Sequence, residues 1–290
     1  MRRYSPSEIN TAIRCGQQHH IFHRLGHRAP PAVALEVGKE SHRVTLQDDL
    51  GAVVEGKPHP GEGYLLDVYL SRLEGNDALR SAPDLDTEHG GFTKLYDHEA
   101  KAFNGLLAAS HGWRHKAVPV AVEEHVEGML GGIPIHGYLD LREPSRVTDL
   151  KRRGPKSRAY TVEQAGSSLQ LLAYAAMTTL PEVAYVELRD GAKAIDFDRK
   201  CITVAPVLPA AVARVAQIYA AAVEMIEREI IMPVDKMGGN AWACSARFCG
   251  AFAASAVDYL TGERIACPYG ELARVSVAIG GVDGMGKETE

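Results

Sequence analysis

Two short apolar runs, each carrying an aspartate near its end and joined by a tight turn, constrain this chain more than any other feature. Ile133 to Leu141 and Arg146 to Lys151 read as adjacent strands, with Glu143-Pro144-Ser145 as the turn. Residues at equivalent heights on neighbouring strands sit side by side, which brings Asp140 next to Asp149. Asp149 and Lys151 are two apart and share a strand face. Two carboxylates suit Mg²⁺ or Mn²⁺, which prefer oxygen ligands. Such an ion polarises a phosphoryl oxygen and lowers the pKa of a bound water, while a lysine orients that water or stabilises charge developing on the phosphate. The acidic-x-Lys triplet also occurs at Glu55-Gly56-Lys57, in a Gly/Pro-rich loop, and at Glu99-Ala100-Lys101, in a helical stretch. Only Asp149-Leu150-Lys151 ends a strand that follows another strand ending in aspartate. A surface salt bridge on a hairpin is the competing reading of the pattern alone.

The flanking sequence supplies the rest of a sheet and its helices. Ser5-Pro6-Ser7-Glu8 predicts a capped first helix, with a local break at Cys15-Gly16 and helix resuming over His19 to Leu25. Residues 51–91 are rich in Gly, Pro and charge and read as an insertion around the apolar segment Tyr64 to Leu73. A helix is expected from about Tyr96 to Ser110, a strand over Val118 to Val126, and a hairpin turn at Gly128 to Gly132. Thr161-Val162-Glu163-Gln164 opens another helix, continuing through Leu169, Leu172 and Ala173. Val183 to Leu188 and Ala194 to Phe197 read as a final hairpin. Val212, Val215, Tyr219, Ala222, Ile226 and Ile230 fall at steps of three or four on a long amphipathic helix. The order predicts an α/β (α+β) core with a central mixed sheet flanked by helices. It is read as a single domain over 1–279 with residues 280–290 as a disordered tail.

The net charge is −5 and the pI about 6.2, which argues against sequence-blind wrapping of duplex DNA but not against a locally basic cleft. No apolar run approaches the roughly 20 residues of a membrane span, and Met1 to Pro6 lacks the apolar stretch of a secretory signal. The expectation is a cytoplasmic protein with no membrane partner. The run from Lys151-Arg152-Arg153 to Lys156 and Arg158 offers phosphate contacts or a solvated loop. His19, His23 and His27 share a helix face with His20 beside them, which suits a solvated or phosphate-facing helix better than a metal site.

Several features, in order along the chain, resemble the RecB-like branch of the PD-(D/E)xK nucleases, which includes phage recombination exonucleases and CRISPR-associated iron–sulfur exonucleases. Gly38-Lys39-Glu40-Ser41-His42 is similar to the branch's G-x-x-x-H motif. Val122-Glu123-Glu124 followed by Gly137-Tyr138-Leu139-Asp140 resembles its strand carrying G-x-x-D. Asp149-Leu150-Lys151 matches D/E-x-K, and Gln170-Leu171-Leu172-Ala173-Tyr174 matches Q-x-x-x-Y. The resemblance spans about residues 5 to 270. It implies a restriction-endonuclease-like core with the N- and C-terminal helical segments packed together. It also implies a Mg²⁺ or Mn²⁺ ion on His42, Asp140, Asp149 and the Leu150 carbonyl. Lys151 would then act on the attacking water, with Glu123 or Glu124 assisting. Gln170 and Tyr174, four apart on one helix face, would orient the substrate. The implied substrate is DNA, single-stranded or at its ends, and the implied partner a recombination or helicase protein.

Trp242 to Gly250, with Cys244 and Cys249, resembles the branch's C-terminal cysteine segment. Cys267-Pro268-Tyr269-Gly270 resembles its end, and Cys15 matches its N-terminal cysteine. The resemblance implies a [4Fe–4S] cluster on Cys15, Cys244, Cys249 and Cys267 that clips the chain's ends together. The gap before Cys267 is longer than the family pattern, and Ser255 stands where a closer cysteine would fall. A zinc site or ordinary buried cysteines are the alternatives. Cys201 lies outside the motif and reads as a plain residue. The expected activity is a metal-dependent deoxyribonuclease, an exonuclease on DNA ends or single strands. The rival is a non-catalytic DNA-binding or assembly subunit on the same fold.

Overall fold

A computed structural model describes residues 2–24, 26 and 31–229 of the 290. The chain forms two compact units, Met1–Pro6 with Pro31–Ala220, and Ser7–Pro30 with Ala221–Glu290. Six longer helices are α1 (Pro6–Arg14), α2 (Val33–Arg43), α3 (Glu62–Glu74), α4 (Phe92–Lys116), α5 (Leu169–Thr178) and α6 (Pro209–Glu227). The strands are β1 (Ala121–Leu130), β2 (Ile133–Arg142), β3 (Arg146–Arg153), β4 (Glu182–Arg189) and β5 (Ile202–Pro206).

The strands lie in one sheet in chain order, and only the β3–β4 pair is parallel. That pair requires a crossover, which the short helix Val162–Gly166 and α5 provide. Alternation along β3 and β4 sends residues to two separate cores. Leu150, Val186 and Leu188 join the larger core with residues of α2, α3 and α4. Val147 and Val183 join a second core with Ala165, Leu171 and Tyr174. Gly131 and Gly132, with φ of 59° and 83°, close the β1–β2 hairpin in the left-handed conformation that glycine adopts without strain.

The β1–β2 ribbon turns over partway along its length. Leu139 and Leu141 are two residues apart, yet Leu139 belongs to the second core and Leu141 to the larger one. Val126 and Val122 divide in the same way on β1. The residues at the switch are Asp140 and Glu123, opposite one another in the register between Val122↔Leu141 and Glu124↔Leu139. Glu123 has φ of 46°, a backbone strain that a non-glycine residue rarely carries.

Two sequence expectations need correction, and a third gains detail. The helix expected to run from Thr161 through Ala173 is two helices. Ser168 accepts a hydrogen bond from Leu171 N at 3.3 Å and caps a fresh start, after the capping box of Thr161 and Gln164. Ala194 to Phe197 is not a strand; Ala194–Asp196 and Phe197–Lys200 are short helices, and the partner of β4 is Ile202–Pro206. Alternation over four residues cannot separate a strand from a turn of helix, and Cys201, read as a plain residue, leads directly into β5. The segment 51–91 is largely helical. Leu65, Tyr69, Leu73, Leu79 and Leu85 all belong to the larger core.

α6 is, by length and composition alone, long and apolar enough to cross a membrane. Its buried residues form a helical stripe, with Val215 and Tyr219 in the first unit, and Tyr219 Oη donates to Leu169 O at 3.1 Å. In the second unit α1 stops at Arg14, the chain continues as Gly16–His19 and a π-helical turn over His20–Arg24, and Arg24 donates to Ile226 O at 3.0 Å. The N- and C-terminal helical segments meet there. His19 is buried against Glu8 at 3.2 Å and stacks on His23, so this face is not the solvated one that the sequence suggested. His27 lies outside the described residues, as do Cys244, Cys249, Cys267 and the tail 280–290.

Candidate active site

β2 and β3 pair only at Leu141↔Thr148 and Arg142↔Val147, next to the turn. Beyond that point the strands part, and Leu150 N–H has no β2 carbonyl to donate to. Asp140 Oδ2 accepts it instead at 2.8 Å. A backbone amide left unpaired in a buried strand is costly, so the carboxylate is held in the gap by a structural requirement as well as a chemical one. His42, near the end of α2, brings Nδ1 to 3.8 Å from the same Asp140 oxygen, and a backbone hydrogen bond links the ring to Leu150.

Asp149 is buried on the second-core face of β3, and Lys151 follows it on that face. Lys151 Nζ lies 2.9 Å from Asp149 Oδ1 and 2.7 Å from Oδ2. Burial pushes the Asp149 carboxyl up to about 6, with Asp140 adding to the rise and Lys151 opposing it. Asp140 is also raised by burial. Burial alone would lower Lys151, but Asp149 and Asp140 outweigh it and hold the ammonium above the ordinary lysine value. His42 is lowered by burial and then by Lys151, which keeps the imidazole neutral and able to donate a lone pair. Two buried carboxylates that resist ionisation, a neutral imidazole and a nearby backbone group fit a hard divalent cation. Among the described residues, the group whose ligand atoms all lie within 4.8 Å of one another is Asp84, Glu88 and His89, a different part of the chain. His42, Asp140 and Asp149 are not gathered that closely; Lys151 donates a hydrogen bond to Asp149 Oδ1, while Oδ2 is buried with no hydrogen-bond partner.

The two glutamates of β1 part company. Glu123, at the strained position opposite Asp140, hydrogen-bonds Gln47 and acts electrostatically on both His42 and Asp140. Glu124 is taken up by Arg142 in a two-pronged pair at 2.6 and 2.9 Å. From α5, Tyr174 is buried beside the acidic pair. Its hydroxyl is pushed up to about 12 by burial and by Asp140 and Asp149, and it is hydrogen-bonded to Gln170. A Cβ on Gly137 would meet Tyr174 Oη at 2.6 Å, so the glycine three residues before Asp140 is what lets the tyrosine in.

Two neighbours escaped the sequence reading. Tyr185 stands opposite Asp149 in the parallel register and is held by Ser168 Oγ at 2.9 Å. Gln47 orients Glu123. A tyrosine in an apolar strand and a glutamine in a helix carry no motif signal. The basic run also divides. Arg152 faces the larger core, donating to Ser41 Oγ at 2.9 Å, Tyr69 Oη at 2.8 Å and Glu99 Oε2 at 2.7 Å. It is neither a phosphate contact nor a solvated charge. Glu99, set aside as a helix residue, is its buried counter-ion.

A mixed sheet that splays to gather buried carboxylates and a lysine is the architecture of a nuclease core. Residues 3–251 match the family model of the PD-(D/E)XK nuclease superfamily, and the chain belongs to that superfamily. Its α/β fold is accordingly restriction-endonuclease-like. No curated protein matches the sequence.

Proposed function

We propose that this chain is a Mg²⁺- or Mn²⁺-dependent deoxyribonuclease of the RecB-like branch, acting as an exonuclease on DNA ends or single strands. The observation that carries this reading is the meeting of Asp140, Asp149, Lys151, His42 and the Leu150 backbone where β2 and β3 separate. His42, Asp140, Asp149 and the Leu150 carbonyl would hold the ion. When bound, it supplies charge to the scissile phosphate and acidifies a water. Lys151 keeps its proton through the reaction and presents it to the attacking water or the phosphate oxygen. Glu123 adds a further carboxylate beside Asp140, and Gln47 sets its orientation. Tyr174 and Gln170 present a phenol and an amide to the substrate. Glu124, engaged by Arg142, is a support for β1 and β2 rather than a member of the site.

Single- and double-stranded DNA labelled at the 5′ or the 3′ end tests this with Mg²⁺, Mn²⁺ or chelator. The expected result is release of short labelled products from one end, only with metal present. Metal-dependent cleavage at internal sites would keep the nuclease and discard the exonuclease. DNA binding without cleavage under every metal condition would replace both with an assembly subunit.

The four-cysteine [4Fe–4S] cluster belongs to the same reading. It rests on the sequence pattern; Cys15 is buried where α1 ends, its Sγ accepting Gln18 N at 3.4 Å, and the other three cysteines lie outside the described residues.

A further inference from the structure

The β1–β2 ribbon has one face built against α5 and another that carries rings into solvent. On the inner face Ile135 and Leu139 are buried, and a Cβ on Gly137 or Gly128 would run into Tyr174 or Met177 of α5. On the outer face His125, Glu127 and Met129 of β1 and Tyr138 of β2 are exposed. Tyr138, at 64% exposure, gains little from packing. His125 is its register partner across the ribbon, with ring centroids 4.9 Å apart, and the His136 ring stands 5.9 Å from that of His125. The solvated face of an antiparallel pair is ordinarily polar. A cluster of rings there offers its π-faces to a ligand instead of to the core.

The rings stand one pleat from the active site. Tyr138 precedes Asp140 by two residues on β2, and His125 follows Glu123 by two on β1, a step of about 6.8 Å along each strand. The charge of this face suits a polyanion. The segment before α1 runs beside β2 through the Tyr4–Ile135 bridge, and Arg3 pairs with Glu127, whose carboxylate also lies 3.8 Å from His125 Nε2. The acidic charge among the rings is thus already met by a guanidinium. Unpaired bases stack on Tyr and His rings whatever their sequence, because every base has a π-face. Inside a duplex those faces are covered by neighbouring bases about 3.4 Å away. Only an unpaired stretch or a frayed end can lie on the ribbon.

We propose that Tyr138 and His125, with His136 beside them, form a stacking platform for unpaired bases of the DNA strand whose phosphate reaches Asp140. The inference rests on the nuclease reading above and assigns the single-strand preference of that site to the outer face of the β1–β2 ribbon.

The test is fluorescence anisotropy of labelled single-stranded DNA, and of a blunt duplex of the same sequence, with the full chain in chelator and again in Ca²⁺. Tyr138→Ala should raise the single-strand Kd about tenfold. His125→Ala should raise it too, and the duplex Kd should move far less in both variants. Tyr138→Phe keeps the π-face and should bind as the wild type does. 2-Aminopurine near the 5′ or the 3′ end loses fluorescence when it stacks. Wild type and Tyr138→Phe should therefore quench one of the two labelled strands, and Tyr138→Ala should not. Single-strand affinity and quenching that Tyr138→Ala leaves unchanged overturn this inference alone. A wild type that binds neither DNA in either buffer overturns it together with the nuclease reading. Circular dichroism should be unchanged at so exposed a position; if Tyr138→Ala misfolds, His125→Ala carries the same comparison.

Discussion

Asp149 is paired with an ammonium and still holds its proton more tightly than a free carboxyl, because burial outweighs the pairing. Its folded value of about 6 stands above the ordinary 3.8, so ionised Asp149 destabilises the fold above about pH 6. That cost fades as pH falls through 6 towards 3.8. A divalent ion supplies the missing positive charge. The rise in Tm on adding Mn²⁺ should therefore be larger at about pH 7.5 than at about pH 5. Thermal melts with and without Mn²⁺ check this, and equal shifts at the two pH values would count against the coupling. On the proposed reading, Lys151 serves the reacting phosphate rather than the ion. Lys151→Ala should lower single-turnover cleavage by about 10²–10³-fold while calorimetry finds Mn²⁺ binding retained. Wild-type rates in that variant would sink the assignment. The nearness of Asp140 to Asp149 was legible because a tight turn brings equivalent heights together, although the strands part before those residues pair. The distinction between Glu123 and Glu124 was not, because it depends on a backbone kink and on Arg142, 18 residues away.

At the scale of elements, the position of α5 over the sheet depends on one missing side chain. With Tyr174 Oη 2.6 Å from the place of a Cβ, Gly137→Ala must displace the ring. The expected cost is about 1–3 kcal/mol in urea unfolding, together with slower cleavage, and full activity at wild-type stability would refute the contact. α3 and α4 are tied to β3 through Arg152. Its removal leaves Glu99 buried without its counter-ion, so Arg152→Ala should cost about 3–5 kcal/mol. Lys156→Ala, at an exposed position of the same basic run, should stay within about 0.5 kcal/mol. Equal effects from the two would mean that Arg152 is as solvated as the run suggested. Charge type alone gives no hint of this. Alternation does, since Arg152 shares parity with Leu150 and so faces the larger core. The turnover at Asp140 breaks that same alternation rule, which is why no periodicity argument could have assigned Leu141 to the larger core.

For the molecule as a whole, the order of strands and helices was legible from Thr161 back to the β1–β2 hairpin, and less so on either side. β5 is short, and the sequence between it and β4 mixes small helices with turns. The helices of 51–91 were hidden by the Gly and Pro that punctuate them, although Leu65, Tyr69 and Leu73 have helical spacing and fill the larger core. The far reach of the chain carries its own prediction. Purified without air, the protein should contain iron and sulfide in near-equal amounts and be brown, and Cys15→Ala should lose both. Cys201→Ala should keep them, since Cys201 is buried in the core that packs on β4. A folded, colourless and metal-free anaerobic preparation would leave the cysteines as packing residues.

The bond from Leu150 N to Asp140 Oδ2 makes the two ways of disabling the site unequal. Alanine at 140 strands a buried amide, at about 1–3 kcal/mol, and so removes shape along with chemistry. Asparagine still offers an oxygen to that amide while giving up the charge. On the proposed reading, a descendant that kept its grip on nucleic acid but had stopped cutting is therefore one substitution away. The residue at position 140 is where such a change of occupation would first be recorded.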